Sequence, residues 1–390
     1  MSAEATTDRA GTTRDRVAKH ARITALLDAR GAEAIELASP ASLAWYLDGA
    51  RTHVSLAGPP IARLVVHRDG AELGVFANEA GRLAGEELGG GELEGVELAG
   101  GFPLSLHRIP WHGSLDPAAW WPGFEASTTG RHVTGPDRAG RRLIAEEDAA
   151  VELRAARAVL LPGELARYRA LCRDAAEVLT DVLSGVGPDT TERAVAARLG
   201  AGLIERGADP VVLLVAGTER LAHRHPLPTD GPLGRRAMAV VCARRAGLIA
   251  NVTRWVAFGP TVAREEEADE AILRVEADVF AALAPGVPLA SLLDVLRAAY
   301  PRHGFADDEW TRHHQGGAAG YNGRDPRLAP GVADVVAAGQ AFAWNPSAPG
   351  AKVEDTVLLG TDGIEALSVD PRWPVVDVEG LARPAVLRNP

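Results

Sequence analysis

The chain has 390 residues, of which 46% are hydrophobic and 24% are charged, and its formal net charge is −11. This composition is typical of a folded globular protein of about two or three domains and excludes a disordered or fibrous chain. The acidic balance leaves no basic stripe that could neutralise phosphates, so we expect no nucleic-acid partner.

The two cysteines and the polar N-terminus indicate the compartment. Cys172 and Cys242 are too few for a disulfide framework, and we expect them to be reduced thiols. Residues 1–16 contain no apolar core, so we interpret them as a frayed tail and not as a signal peptide or anchor. No apolar run approaches the roughly 20 residues that span a bilayer. We therefore expect a cytoplasmic protein without membrane contact.

Helices and strands alternate in the first part of the chain. Ser39 and Pro40 supply a helix start signal, and the turn residues Arg68-Asp69-Gly70 separate two apolar runs, which predicts a β-hairpin. In chain order we predict a helix at 14–30, a strand at 34–37, a helix through 43–47 that Gly49 closes, strands at 61–66 and 73–76, a helix at 79–88 and a strand near residue 96. The alternation indicates an α/β domain with a mixed sheet.

Residues 111–142 are rich in Gly, Pro and Trp, and we interpret them as a loop that leads to a second domain. The pair Trp120-Trp121 stands in this stretch. Tryptophans in such a place either pack at the domain junction or contact a ligand, and the sequence leaves both readings open.

The pattern changes after Pro162, which opens a long helix with an apolar stripe. Cys172 lies on that stripe and is interpreted as a core residue. Further helices are predicted at 190–207, 265–283 and 289–299, and strands at 211–215, 237–243, 248–258, 341–345 and 352–359. A His- and Gly-rich loop precedes the last two strands. This order predicts an α+β second domain.

Four segments of the second domain concentrate polar residues, at 223–229, 242–254, 313–317 and 344–356. Isolated polar side chains on apolar strands are informative, because a buried polar group without a partner costs free energy. Side chains alternate faces along a strand, so Asn251 and Thr253 should share one face, and Lys352, Glu354 and Thr356 another. Such faces can converge on a site.

The order of these segments resembles the family of creatinase, prolidase, aminopeptidase P and methionine aminopeptidase. The matching elements are His225 with Pro228-Thr229, Asn251-Val252-Thr253-Arg254, the loop 313–320, Asn345-Pro346, and Lys352-Val353-Glu354-Asp355-Thr356. Each motif is weak alone, but five in the right order argue for the fold.

The resemblance implies an α+β protein with a creatinase-type α/β domain at residues 15–158 and a pita-bread domain at residues 159–385. It also implies a homodimer. The activity it implies is hydrolysis of a C–N bond in a small-molecule or short-peptide substrate, as in creatinase or the Xaa-Pro peptidases.

The chain departs from the family at the metal ligands that the resemblance implies, which are two Asp, one His and two Glu. Their positions are occupied by Val240 or Cys242, by Asn251, by a residue near Gly317, by Asn345, and by Glu354. Only the last is a carboxylate. Two neighbouring divalent cations need bridging carboxylates to offset their charge. We therefore expect no metal cofactor, as in creatinase, a member of this family that needs no metal.

The remaining acid–base groups are His225, Glu354 and His314, and we predict that these are the catalytic residues. An imidazole titrates near neutral pH and can move a proton to a leaving nitrogen. The predicted substrate-binding residues are Asn251, Arg254, Asn345, His313, Tyr321, Lys352 and Cys242.

Less specific roles remain open for several of these residues. His225 and Cys242 are also compatible with core packing, and Arg254 with an ion pair inside the sheet. Asn345 fits a simple turn before Pro346. Two other functions also stay open: a non-catalytic ligand-binding protein, and a metallopeptidase with one ion on Cys242, His225 and Glu354.

Overall fold

The computed structural model describes residues 3–89, 96–98, 102–121, 135–136, 142–260 and 262–389. The chain forms two compact units. The first comprises the residues up to Arg157 together with Leu161–Leu165, and the second comprises Ala158–Leu160 and Ala166–Pro390. Helices and mixed sheets occur in both, which agrees with the predicted α+β class.

One seven-stranded mixed sheet organises the first unit, in the order β4-β5-β3-β2-β1-β7-β6. The pairs β3/β5 and β1/β7 are parallel and the other pairs are antiparallel. The elements are α1 (Ala3–Arg30), β1 (Ala34–Leu37), α2 (Pro40–Tyr46), β2 (Ala62–His67), β3 (Gly70–Phe76), α3 (Ala77–Arg82), β4 (Val96–Leu98), β5 (Phe102–Ile109), α4 (Pro117–Trp120), β6 (Gly135–Pro136), β7 (Arg142–Ile144) and α5 (Ala150–Ala158).

Local signals explain several of these elements. The Ser39 hydroxyl accepts a hydrogen bond from the Ser42 amide at 3.1 Å, so it caps α2 as predicted. The predicted hairpin is β2–β3, with His67 opposite Gly70. Trp120 and Trp121 pack against buried residues of the sheet.

Two predictions for this unit were wrong. The N-terminal tail is helical, since α1 begins at Ala3 and not near residue 14; no proline interrupts its polar first turns. The stretch 111–142, predicted as loop, contains α4 and the start of β7. Residues 122–134 and 137–141 of that stretch lie outside the described residues.

Two four-stranded sheets organise the second unit, in the orders β19-β10-β9-β8 and β11-β12-β15-β16. Its elements are α6 (Pro162–Leu183), α7 (Glu192–Glu205), β8 (Asp209–Ala216), β9 (Arg236–Arg245), β10 (Leu248–Phe258), α8 (Ala263–Ala282), α9 (Leu292–Arg302), β11 (Gly316–Ala319), β12 (Gln340–Trp344), β13 (Ser347–Ala348), β14 (Ala351–Lys352), β15 (Asp355–Gly360), β16 (Gly363–Ala366), β17 (Val375–Val378), β18 (Leu381–Pro384) and β19 (Leu387–Asn389). The first turn of α6 belongs to the first unit.

The core of the second unit lies between α8, α9 and the sheet that contains β12 and β15. Cys172 is fully buried on α6, as the apolar stripe predicts. In the described part of the chain, no helix combines the length and the apolar character needed to cross a membrane.

The long hairpin β9–β10 carries the polar residues toward the second sheet. Cys242 stands opposite Asn251 in its register. The Thr253 amide donates to the Glu354 carbonyl at 2.9 Å, which ties β10 to the chain just before β15. The strand predicted at 352–359 is therefore interrupted: β14 ends at Lys352 and β15 begins at Asp355.

Candidate active site

A cavity of about 730 Å³ opens in the second unit among β8, β9, β10 and the segments that follow His313 and Asn345. Seven of the ten predicted site residues line it: His225, Cys242, Asn251, His314, Asn345, Lys352 and Glu354. A volume of this size is enough for a small-molecule or dipeptide ligand.

Glu354 is the carboxylate of this cavity, and both of its oxygens are engaged. Oε1 accepts from Nη2 of Arg324 at 2.7 Å. Oε2 accepts from the Thr253 hydroxyl at 2.8 Å and lies 3.1 Å from Nζ of Lys352. Burial raises the pKa of Glu354, but the charges of Lys352 and Arg324 and the hydrogen bonds outweigh it, so the pKa is far below its ordinary value. The group is ionised and cannot donate a proton.

Three imidazoles converge beside this carboxylate. The Nε2 atoms of His225 and His313 are 3.0 Å apart, which is a hydrogen bond between the rings. The His314 ring lies 4.4 Å from that of His313 and 5.8 Å from that of His225, measured between centroids. Nδ1 of His313 lies 3.2 Å from the Ser347 hydroxyl. Thus a chain of polar contacts runs from Ser347 through His313 to the solvent-exposed His225.

The imidazoles are held in their neutral form. Burial, followed by the charge of Lys352 and by the other two histidines, lowers the pKa of His313 to about 2. Burial, followed by the charges of Arg324 and Arg327, lowers the pKa of His314 to about 3. The pKa of His225 is lowered by burial and by Lys352. Neutral imidazole is the form that accepts a proton or ligates a metal ion.

Three polar atoms of the site have no hydrogen-bond partner within the described residues: Nδ1 of His314, Oδ1 of Asn345 and Nε of Arg324. All three residues line the cavity. Buried polar atoms are nearly always paired, so these atoms are expected to meet solvent or a ligand there.

Asn251 and Cys242 form a neutral pair on the floor of the cavity. The thiol donates to Oδ1 of Asn251 at 3.3 Å, and the amide nitrogen donates to the Ile249 carbonyl at 3.1 Å. Burial, and then the charge of Glu354, raises the pKa of Cys242 to about 12. The thiol therefore stays protonated and is not a thiolate nucleophile or ligand.

Arg254 and Tyr321 do not line this cavity, and His313 lies behind two residues that do, His225 and His314. Nη1 of Arg254 pairs with Asp355 at 2.9 Å, and its Nη2 donates to the Ser368 carbonyl. Tyr321 is buried. The structure thus brings the predicted histidines, amides, Lys352 and Glu354 together and places Arg254 elsewhere.

The sequence analysis missed Arg324 and Arg327, which line the cavity beside Asn322 and Gly323. Arg324 supplies half of the cationic pairing of Glu354. The signal for both was the polar run directly after the His- and Gly-rich loop. The apolar wall formed by residues 211–214 of β8 was also missed.

The residues present do not fit the two-metal centre that the resemblance implies. Glu354 is the one carboxylate at the expected ligand positions, and Lys352 and Arg324 already neutralise it. At Gly317 a Cβ would lie 2.4 Å from the Pro326 carbonyl oxygen, so the backbone there leaves no room for a ligating side chain. Two dications would remain uncompensated in this setting.

Comparison with solved structures gives the fold. The chain is similar to the prolidase from Pyrococcus horikoshii OT3 (TM-score 0.70, 19% identity, 91% of this chain and 99% of that one). It is similar to the dipeptidase PepE from Mycobacterium ulcerans (TM-score 0.69, 17% identity, 98% of this chain and 99% of that one). It is also similar to the Xaa-Pro dipeptidase from Bacillus anthracis (TM-score 0.68, 16% identity, 96% of this chain and 100% of that one).

A comparison with curated proteins found no match. The model of metallopeptidase family M24 matches residues 166–361, which is half of the chain and covers all the cavity residues named above. Together with the pita-bread neighbours, this match shows that the chain belongs to metallopeptidase family M24.

Proposed function

We propose that this protein is a peptidase-like hydrolase that cleaves a C–N bond of a small polar molecule or short peptide by imidazole proton transfer, without a two-metal centre. Family membership supports a hydrolase of the peptidase type. The observation that carries the finer proposal is the convergence of three neutral imidazoles beside a ligand-sized cavity.

His225 is the residue that exchanges the proton. It is the most exposed of the three histidines, and its Nε2 is oriented by Nε2 of His313. Hydrolysis adds water across the C–N bond, so a base must take a proton from water and an acid must deliver one to the leaving nitrogen. His225 can do both in turn, while His313, which is itself bound to the Ser347 hydroxyl, holds its ring.

Glu354 is a positioning residue in this proposal. Its carboxylate is bound on both oxygens and holds Lys352 and Arg324 at the cavity wall. Together with Arg327 these cations outnumber the single carboxylate, which favours a substrate with an anionic group. The amides of Asn251 and Asn345 are suited to hydrogen-bond its polar atoms.

The test is an activity screen in which chelator-treated protein is incubated with Xaa-Pro dipeptides and with small acids that contain an amide or guanidine group. Turnover is measured as the release of amine. Turnover should survive chelation, and His225→Ala should abolish it. His223→Ala is the matched control, because His223 is an exposed residue of the same loop and does not line the cavity. Activity that appears only after addition of manganese, cobalt or zinc would overturn the proposal.

A non-catalytic binding protein is the second candidate. The observation that favours it is the ion pairing of Glu354, which leaves no free carboxylate in the cavity. A compound that raises the melting temperature of the wild type but is recovered unchanged after prolonged incubation would favour binding over catalysis.

The third possibility, one ion on Cys242, His225 and Glu354, has weaker support. The Cys242 thiol is bound to Asn251 and stays protonated, and Glu354 is already paired. The homodimer and the cytoplasmic location remain predictions, and sedimentation of the purified chain would test the first.

A further inference from the structure

We propose that His225, His313 and His314 form a binding site for one transition-metal cation such as Zn²⁺, distinct from the two-metal centre of the family. Each of the three histidines offers one ring nitrogen, and these nitrogens all lie within 4.8 Å of one another. Among the described residues, no other group of three or more His, Cys, Asp or Glu side chains places its ligand atoms this close together. The site needs none of the carboxylate positions that this chain has lost.

The distances between the nitrogens suit tetrahedral coordination. Ligands about 2.0 Å from a zinc ion in tetrahedral geometry lie about 3.3 Å apart. Nε2 of His225 and Nε2 of His313 are already 3.0 Å apart. His314 follows His313 directly in the chain, and its ring must turn or shift by up to about 1.5 Å to bring the third nitrogen from within 4.8 Å to this distance.

The unpartnered nitrogen of His314 is an independent sign of a missing ligand. Its Nδ1 is buried and has no hydrogen-bond partner in the described part of the chain. Rings of metal-ligating histidines are usually held by a second contact, and Nδ1 of His313 has one with the Ser347 hydroxyl. An ion bound at Nδ1 of His314 would give that nitrogen a partner.

The chemistry of the donors selects the ion. Imidazole suits zinc, copper and nickel, whereas magnesium, calcium and manganese prefer oxygen ligands. Three neutral donors do not reduce the charge of the cation, and Lys352 and Arg324 are balanced only in part by Glu354. One ion fits this setting and two do not. The fourth position would be taken by an anion, which the nearby cations favour.

The site is independent of the proposed hydrolysis but would compete with it. An ion on Nε2 of His225 leaves the ring without a free lone pair for proton transfer, because the other ring nitrogen then carries the proton. Micromolar zinc is therefore expected to inhibit turnover, and a chelator should restore it. Binding itself is measured without substrate, so a failure of the metal site and a failure of the proposed activity are distinguishable.

The experiment is a titration of the untagged, chelator-treated protein with Zn²⁺ by calorimetry, repeated with Co²⁺ to record the visible bands of tetrahedral cobalt. We expect about one equivalent in the wild type, and no saturation with Mg²⁺. His314→Gln, which keeps a polar side chain of similar length, should weaken binding at least tenfold, and His223→Ala should leave it unchanged. Circular dichroism checks that both variants fold.

Three results would overturn the site. They are no zinc or cobalt binding by the folded wild type, equal affinity in folded His314→Gln, and two equivalents bound with the same affinity. If zinc binds as expected while the chelated protein hydrolyses nothing, the metal site stands and the proposed function fails.

Discussion

Two neighbouring carboxylates of the second unit, Glu354 and Asp355, point to opposite sides of the chain at the start of β15 and end in different surroundings. Glu354 lines the cavity with Lys352 and Arg324. Asp355 lies in a sealed cluster, where it pairs with Arg254 at 2.9 Å and with Arg383 at 3.0 Å. Both carboxylates therefore have two cationic partners.

The surroundings of Glu354 and Asp355 differ in how many of their buried polar atoms have a hydrogen-bond partner. In the sealed cluster the Ser368 hydroxyl also donates to Asp355, and Arg383 makes two hydrogen bonds to Glu276. On the cavity side His314 and Asn345 each keep a buried polar atom without a partner in the described residues. Complete pairing indicates a structural role, and unpaired polar atoms beside a cavity indicate a ligand.

The largest effect is expected on the sealed side. Arg383→Ala removes the partner of both Glu276 and Asp355 and leaves two buried carboxylates with reduced pairing. Breaking one buried pair in this way costs about 3–5 kcal/mol. Urea unfolding measures the loss. Arg193→Ala, which removes an exposed pair with Asp230, is the control and should cost less than about 1 kcal/mol. Equal losses would show that the cluster does not stabilise the fold.

Much of this difference between the two faces could be predicted from the sequence. Asn251 and Thr253 lie in phase on β10, and both turn toward Glu354 or the cavity, as strand alternation predicts. Arg254 is out of phase with them, and the same rule places it on the opposite face, where it meets Asp355. Its predicted role in substrate binding came from the motif alone and disregarded that alternation.

Other features of the site could not be predicted from the sequence. Arg324 meets Glu354 across 30 residues, and no periodicity marks such a contact. The interruption of the last strand at Val353 and Glu354 depends on the hydrogen bond from Thr253 of β10, which is a tertiary contact. The convergence of His225 with His313 depends likewise on two distant loops.

A smaller effect is expected from the pH dependence of the sealed cluster. Burial raises the pKa of Glu276 to about 7, although Arg383 opposes this. A carboxyl whose pKa is higher in the folded than in the unfolded state stabilises the fold at low pH, and this contribution is lost as pH rises through the folded value. Stability should therefore fall by on the order of 1–2 kcal/mol between pH 5 and pH 7.5.

Glu276→Gln should remove that decline, because the amide does not titrate and keeps the shape of the side chain. Urea unfolding of the wild type and the variant at several pH values gives the comparison. The groups that face Glu276 are Arg383, Asp355 and Arg254, and none of them is changed. If the two pH profiles are parallel, Glu276 is ionised throughout this range and the sealed cluster does not titrate.

The smallest effect is expected on the cavity side. Glu354→Gln removes the charge that Lys352 and Arg324 share, but both cations line the cavity, where water can solvate them. We expect a loss of about 1 kcal/mol in the free energy of unfolding at pH 7. Asp355→Asn is the matched substitution one residue away, and it should cost more, because Arg254 and Arg383 are more deeply buried than Lys352 and Arg324. The pKa of Glu354 is lowered in the fold, so its contribution is present above its unfolded pKa and lost as pH falls through the folded value. The difference between wild type and Glu354→Gln should therefore shrink below about pH 4.5. If Glu354→Gln costs as much as Asp355→Asn, water does not reach the two cations, and the contrast between an open and a sealed side of β15 is wrong.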